Sequence, residues 1–307
     1  MTRAVHFAAA VQTFGALLFL WLLADPDVSA TSPAAARHRP RWAVPLIAVS
    51  LAATMVSGAV WLVLQAADMT EGPLDEAWRS GAFGTLLFET YAGRVWQIRI
   101  AVAAALLLNV CALAIPDMNL KQRWLNATGL ALAGAVLISA AWLGHAGADP
   151  SALGPLHLSV HAAHMLAAAS WLGGLLPFSL LLWQARRAGT VTELALARRT
   201  GVRFGNLAQL AVAVLVLSGI VNTGLLVDSV EDLLTGAFAG LLAAKVGLLL
   251  IMLMLAAENR WRLVPNLAPN EPAVAARLRR NIIGELALGG LILLIAGVLG
   301  ITAPNGG

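Results

Sequence analysis

Residues 236–257 read GAFAGLLAAKVGLLLIMLMLAA, with a single ionisable side chain, Lys245. A helix needs roughly 20 mostly apolar residues to cross the hydrocarbon core of a bilayer, and this stretch has no polar face to offer to water. Segments of the same kind recur on its N-terminal side at 4–24, 43–66, 94–115, 124–145, 156–185 and 203–226, and on its C-terminal side at 281–303. Across the 307 residues, 59% are hydrophobic and 12% charged, with a mean hydropathy of +0.79. A soluble domain carries about 25% charge, so there is too little polar surface here to cover a water-soluble globule. The expected fold is all-α: a polytopic membrane bundle of eight transmembrane helices forming one domain over residues 1–307. The first apolar segment has no convincing small-residue cleavage site and is expected to be a retained helix.

Charge is placed rather than merely present. Arg37, Arg39 and Arg41 follow the first span, and Lys121 and Arg123 follow the third. Arg186, Arg187, Arg198, Arg199 and Arg203 follow the fifth, and Arg260, Arg262, Arg277, Arg279 and Arg280 follow the seventh. The alternate connections carry Asp68, Glu71, Asp75, Glu76, Asp149, Asp228, Glu231 and Asp232. Basic loops stay in the cytoplasm, so both termini are expected outside. Basic residues spread between spans in this way do not make a nucleic-acid footprint, despite a pI near 10.2. A single cysteine, Cys111, excludes a disulfide framework, a thiolate zinc site and a C-x-x-C redox pair. Leu74 to Tyr91, in the longest outer loop, mixes Trp78, Phe83, Leu86, Leu87 and Phe88 with polar residues, as an interfacial or re-entrant helix does.

Four of the six histidines fall within twenty residues: His145, His157, His161 and His164. Spacings of four and three put the last three on one face of the fifth span. A short Asp149-Pro150 connection holds His145 at the end of the fourth span beside them. Ionisable groups inside spans are rare and mark functional pathways, and imidazole is a ligand for copper, zinc, nickel and iron. His157 and His164 are roughly 10 Å apart along the helix axis, too far to share one ion. The options are an adjacent pair joined by His145, or a ladder down which an ion steps inward.

These residues resemble the copper-resistance D proteins (CopD/PcoD). The likeness lies in Gly144-His145-Ala146, Leu156-His157-Leu158 and the run from His164 through Trp171-Leu172-Gly173-Gly174-Leu175. It continues through Arg203-Phe204, Ser218-Gly219, Lys245-Val246-Gly247-Leu248, Glu258-Asn259-Arg260, Arg279-Arg280 and Glu285-Leu286-Ala287-Leu288-Gly289. It covers nearly the whole chain, most firmly a core of about 140–303. The resemblance implies a non-enzymatic bacterial inner-membrane protein that binds copper, as Cu(I) or Cu(II), and moves it from periplasm to cytoplasm. It also implies a small periplasmic copper carrier of the CopC type as partner, here expected as a separate chain.

Five further residues are candidates for the same site. His6 is placed to reach the outer end of span 1, and Met165, beside His164, has a thioether suited to Cu(I). Trp171 lies seven residues below His164 on about the same face and could close its floor. Lys245 and Glu285 sit inside spans 7 and 8, where they either face each other across the bundle or snorkel independently; structural pairing or helix docking is the first reading and a proton- or ion-coupled role the second. Two other functions remain open on sequence: a membrane redox protein binding haem b through two histidines, such as His145 with His164, and a non-transporting copper sensor or assembly partner. No nucleotide-binding motif is present, so membrane potential or a metal gradient would have to drive transport.

Overall fold

The computed structural model describes residues 2–23, 40–70, 74–115, 122–144, 152–227, 229, 231, 233–268, 270–300 and 302. The helices are α1 (Thr2–Leu23), α2 (Ala43–Asp68), α3 (Leu74–Arg79), α4 (Ala82–Glu89) and α5 (Tyr91–Ala114). They continue with α6 (Gln122–Ile138), extended by a 3-10 turn (Ser139–Leu143), then α7 (Gly154–Ala188) and α8 (Val191–Leu226). Last come α9 (Gly236–Glu258), extended by a π turn (Asn259–Leu263), and α10 (Pro272–Leu299). Among the described residues there are no strands, and eight helices are long and apolar enough to cross a membrane.

Helix α1 is the hub. It packs against α2, α6, α7, α8 and α10, and small residues make that possible. A Cβ added at Gly15 would lie 2.1 Å from the carbonyl carbon of Gly173, and one at Gly173 would lie 2.2 Å from the carbonyl oxygen of Val11. Backbone therefore meets backbone where α1 crosses α7, as small-residue pairs allow in membrane bundles. Gln12 fastens the crossing by donating to the Gly173 carbonyl oxygen at 3.2 Å. The adjacent Gly174 lies under the Phe204 ring of α8, so the two glycines seat α7 against both neighbours.

Both ends of the described chain lie at one end of the bundle, where Arg3 donates to the Gly300 carbonyl oxygen at 3.2 Å. That end also carries the first turns of α7, with its histidines. The described arginines of the odd-numbered connections, such as Arg41, Arg123, Arg186 and Arg260, lie at the other. These are called the histidine end and the arginine end.

Three expectations need correction. Residues 186–202 are not a loop: α7 and α8 are joined by Gly189 and Thr190 alone. Gly189 stops α7 in the left-handed region (φ 66°), which suits a residue without Cβ. The Thr190 hydroxyl then caps α8 by accepting the Glu193 N–H at 3.3 Å. The second correction is that α10 begins nine residues early, at Pro272, a residue preorganised for a first helical turn. Finally, the amphipathic stretch at 74–91 is two short helices, broken at Gly81 (φ 77°). Leu86 of α4 packs with Trp61 and Trp96, pinning this element to α2 and α5.

Candidate metal site and carboxylate cluster

The histidines of α7 occupy its first three turns. His157 is buried, and its backbone N–H donates to the Leu153 carbonyl oxygen at 2.9 Å. His161 and His164 are half-buried, and His161 and Lys245 lie within electrostatic range of His164. His145 lies outside the described residues, as do Asp149 and His38. Among the described residues, no three His, Cys, Asp or Glu side chains are placed to hold one metal ion.

Hydrogen bonding fixes the state of His164. Its Nδ1 lies 3.0 Å from the Ser218 hydroxyl on α8. That hydroxyl has one proton, directed at the Val214 carbonyl oxygen 2.5 Å away. With that proton on a backbone carbonyl of its own helix, Val214 or Leu215, the oxygen accepts from Nδ1–H and the Nε2 lone pair is left for a ligand. Metal-ligating histidines are held in this way, donating one ring N–H to a partner while the other nitrogen binds.

His6 differs in that its Nε2 is occupied. The Arg99 Nη2 lies 2.6 Å from His6 Nε2. A guanidinium donates and cannot accept, so Nε2 receives that bond and Nδ1 bears the proton, 3.1 Å from the Thr54 carbonyl oxygen. No lone pair is left for a metal. In this arrangement Nε2 of His6 is taken up by Arg99. Arg99 was not singled out from the sequence, although an arginine five residues inside the 94–115 span was the signal. It is 4% exposed, lies over the Trp96 ring, and donates to the Val136 carbonyl oxygen (3.1 Å) and the Ser139 hydroxyl (2.7 Å).

Met165 packs with the apolar side chains of α1 and α6, while His164 turns towards α8. One residue of helix rotation, about 100°, separates them. Trp171 is buried below His164 and belongs to the core between α7, α8 and α10. Its indole lies against the Glu285 carboxylate.

Lys245 and Glu285 do not pair. Glu285 instead accepts a hydrogen bond from Asn259 at 2.5 Å. Asn259 and Lys245 are fourteen residues apart on one continuous rod, roughly 21 Å at 1.5 Å per residue, well beyond the reach of a lysine. A polar cluster missed from sequence surrounds Glu285 towards the arginine end. Asn281 donates to Asn259 Oδ1 and to Glu258 Oε2, each at 3.0 Å, and Glu258 pairs with Arg277. Positions 277, 281 and 285 recur every four residues on α10 and so share a face, a signal the sequence did contain.

The described polar groups thus form two separate groupings, the histidine face at the start of α7 and the carboxylate–carboxamide cluster around Glu285 towards the arginine end. The sequence profile described as "Copper resistance protein D-like, N-terminal domain" matches residues 1–155, and that of "Copper resistance protein D" matches residues 198–299. The chain belongs to the copper resistance protein D family. It is 26% identical to Inner membrane protein YebZ of Escherichia coli, over 98% of this chain and 97% of that protein. Copper resistance protein D of Pseudomonas syringae pv. tomato is 29% identical over 72% of this chain and 71% of its own. Copper transport protein CutJ of Bacillus subtilis is 30% identical over 68% of this chain but only 37% of its own length. No solved structure matches. Within the family profiles, the Glu258, Asn259 and Glu285 cluster falls inside the second match. His157, His161 and His164 fall between the two.

Proposed function

We propose that this protein is a multi-pass inner-membrane copper importer. Copper enters at the histidine end, which faces the periplasm, and passes towards the cytoplasm. The observation that carries this reading is the His164–Ser218 bond, which leaves Nε2 of a histidine in the fifth transmembrane helix ready for a soft or borderline cation. His157 and His161 supply the earlier steps, with His145 as a further ligand at entry. Basic connections at the arginine end support the orientation, since Lys and Arg loops remain cytoplasmic. The names of the relatives, a copper resistance protein, a copper transport protein and an inner-membrane protein, support cargo and location.

The protein carries rather than transforms its cargo, so copper is substrate and the chain is not an enzyme. Membrane potential draws a cation inward with about 2.3 kcal/mol per charge per 100 mV. A carrier of the CopC type is the proposed periplasmic donor. The test is copper uptake into proteoliposomes of known orientation, comparing the unaltered chain with His164→Ala. Uptake from the histidine side that is lost in the variant supports import. Binding without flux would favour a sensor or assembly role, and a Soret band in the purified protein would favour the haem alternative.

A further inference from the structure

The cluster around Glu285 contains a feature that hydrogen bonding within the protein does not explain. Glu285 is 1% exposed, and its Oε2 has no hydrogen-bond partner. Oε1 takes the Asn259 N–H, and the Trp171 indole faces the carboxylate from α7 without completing a bond of ordinary geometry to Oε2. Among the described residues no cation pairs with it, and Arg260 on the π turn donates to Asn206 instead. Lys245 on α9 is roughly 21 Å away along the axis, and Arg277 on α10 is occupied by Glu258. Helix α7 contributes only Trp171 at this level. Helix α1 contributes nothing ionisable, because its charged groups, Arg3 and His6, lie at the opposite end. An isolated buried carboxylate costs several kcal/mol even after relaxation, and the ordinary resolution is a bound proton.

The same cluster opens to water. Glu258 is 20% exposed and Arg277 55% exposed. Both line a cleft of about 380 Å³ with Met254, Ala257, Trp261 and Arg262. Asn259 and Asn281 bridge from Glu258 to Glu285 in steps of 2.5 to 3.0 Å. Here α9 gives way to the π turn Asn259–Leu263, a distortion that recurs at functional sites.

We infer that Glu285 is a reversible proton-binding site, exchanging with the aqueous phase at the arginine end through the cleft beside Glu258 and Arg277. In the forward step the O–H bond of the Glu285 carboxylic acid breaks and the proton passes to water in the cleft, leaving the carboxylate with Asn259 as donor. The carboxamides orient the acid and mark the polar route; they are not themselves titrated. The use of this proton to balance copper movement rests on the transport reading above. Proton binding itself does not.

Infrared spectroscopy of the full chain in lipid nanodiscs tests the site directly. The carbonyl stretch of a protonated carboxylic acid should be present, should vanish reversibly as pH is raised, and should be lost in Glu285→Gln. Trp171→Phe provides a second reading: the band should shift in frequency and remain titratable, so the assignment survives even if the glutamine variant folds poorly. A band unchanged in both variants, or one that never titrates, overturns the inference. Bleaching by sodium at constant pH also overturns it, by making the site one for a metal cation. Copper uptake in proteoliposomes separates the two readings. If the acid titrates but uptake is absent, the transport reading fails and the proton site stands. If uptake persists with the same dependence on arginine-side pH in Glu285→Gln, the coupling fails.

Discussion

His164 Nδ1 and Ser218 Oγ meet at 3.0 Å between α7 and α8, and the hydroxyl has already committed its proton to Val214. The serine thereby chooses the tautomer of the histidine. Removing the partner that fixes a ligating imidazole typically costs 10–100-fold in metal affinity. Ser218→Ala is expected to weaken copper binding by roughly that factor, with Ser218→Thr restoring most of it and His164→Ala abolishing the site. Isothermal titration on purified protein measures this. Equal affinity in Ser218→Ala and the unaltered chain would sink the tautomer argument.

His6 is expected to behave differently. His6→Leu leaves Arg99 Nη2 without its acceptor in a buried position, a loss of about 1–3 kcal/mol. The thermal unfolding midpoint should fall while copper stoichiometry and affinity stay unchanged. A selective loss of copper binding at normal stability would instead make His6 a ligand.

Copper binding should weaken as the pH on the histidine side falls, because an imidazole must be deprotonated to ligate. The sign follows directly: protons and copper compete for the same lone pairs. Acidifying only the arginine side should leave binding at the histidines unaffected. Oriented vesicles with each side buffered separately distinguish the two, and sensitivity to arginine-side pH alone would contradict the placement of the site.

Orientation can be read with thiol labelling in a Cys111→Ser background, since Cys111 is itself exposed. Thr190→Cys, in the tight α7–α8 turn, is expected to be protected from an impermeant reagent added to intact cells. Ser80→Cys, between α3 and α4, should react. The reverse pattern inverts the protein in the membrane.

The α1–α7 crossing should tolerate no added carbon. Gly15→Ala places a methyl group 2.1 Å from backbone atoms of Gly173, where no side chain can move aside. Overpacking of this kind costs about 1–3 kcal/mol or more. Lower thermal stability in detergent is the expected outcome, and unchanged stability would mean that the helices part more easily than this contact suggests.

Much of this protein could be read along the chain. The spans were legible because crossing a bilayer demands about twenty apolar residues in a row, a condition that concerns neighbours in sequence only. The common face of His157, His161 and His164 was legible for a similar reason: a helix repeats every 3.6 residues whatever surrounds it. Boundaries were less so. The arginine-rich stretch at 191–202 looked like a loop because charge was read as an end of structure, whereas α7 and α8 continue as helices past the apolar segments and turn only at Gly189 and Thr190.

What the sequence could not give was the partner of each polar side chain. Lys245 and Glu285 looked like a pair because both are charges inside neighbouring spans. Antiparallel packing of α9 on α10 puts Glu285 level with Asn259 instead, and a lysine stem cannot cross the remaining distance. His6 and His164 are alike in sequence, each a histidine in an apolar helix. Arg99, 93 positions away from one, occupies its Nε2, while Ser218, 54 positions away from the other, meets only its Nδ1. Membrane insertion is decided by local composition, so the sequence determined it. Protonation and ligating capacity depend on which donors and acceptors arrive from distant segments, so only the packed bundle decided them.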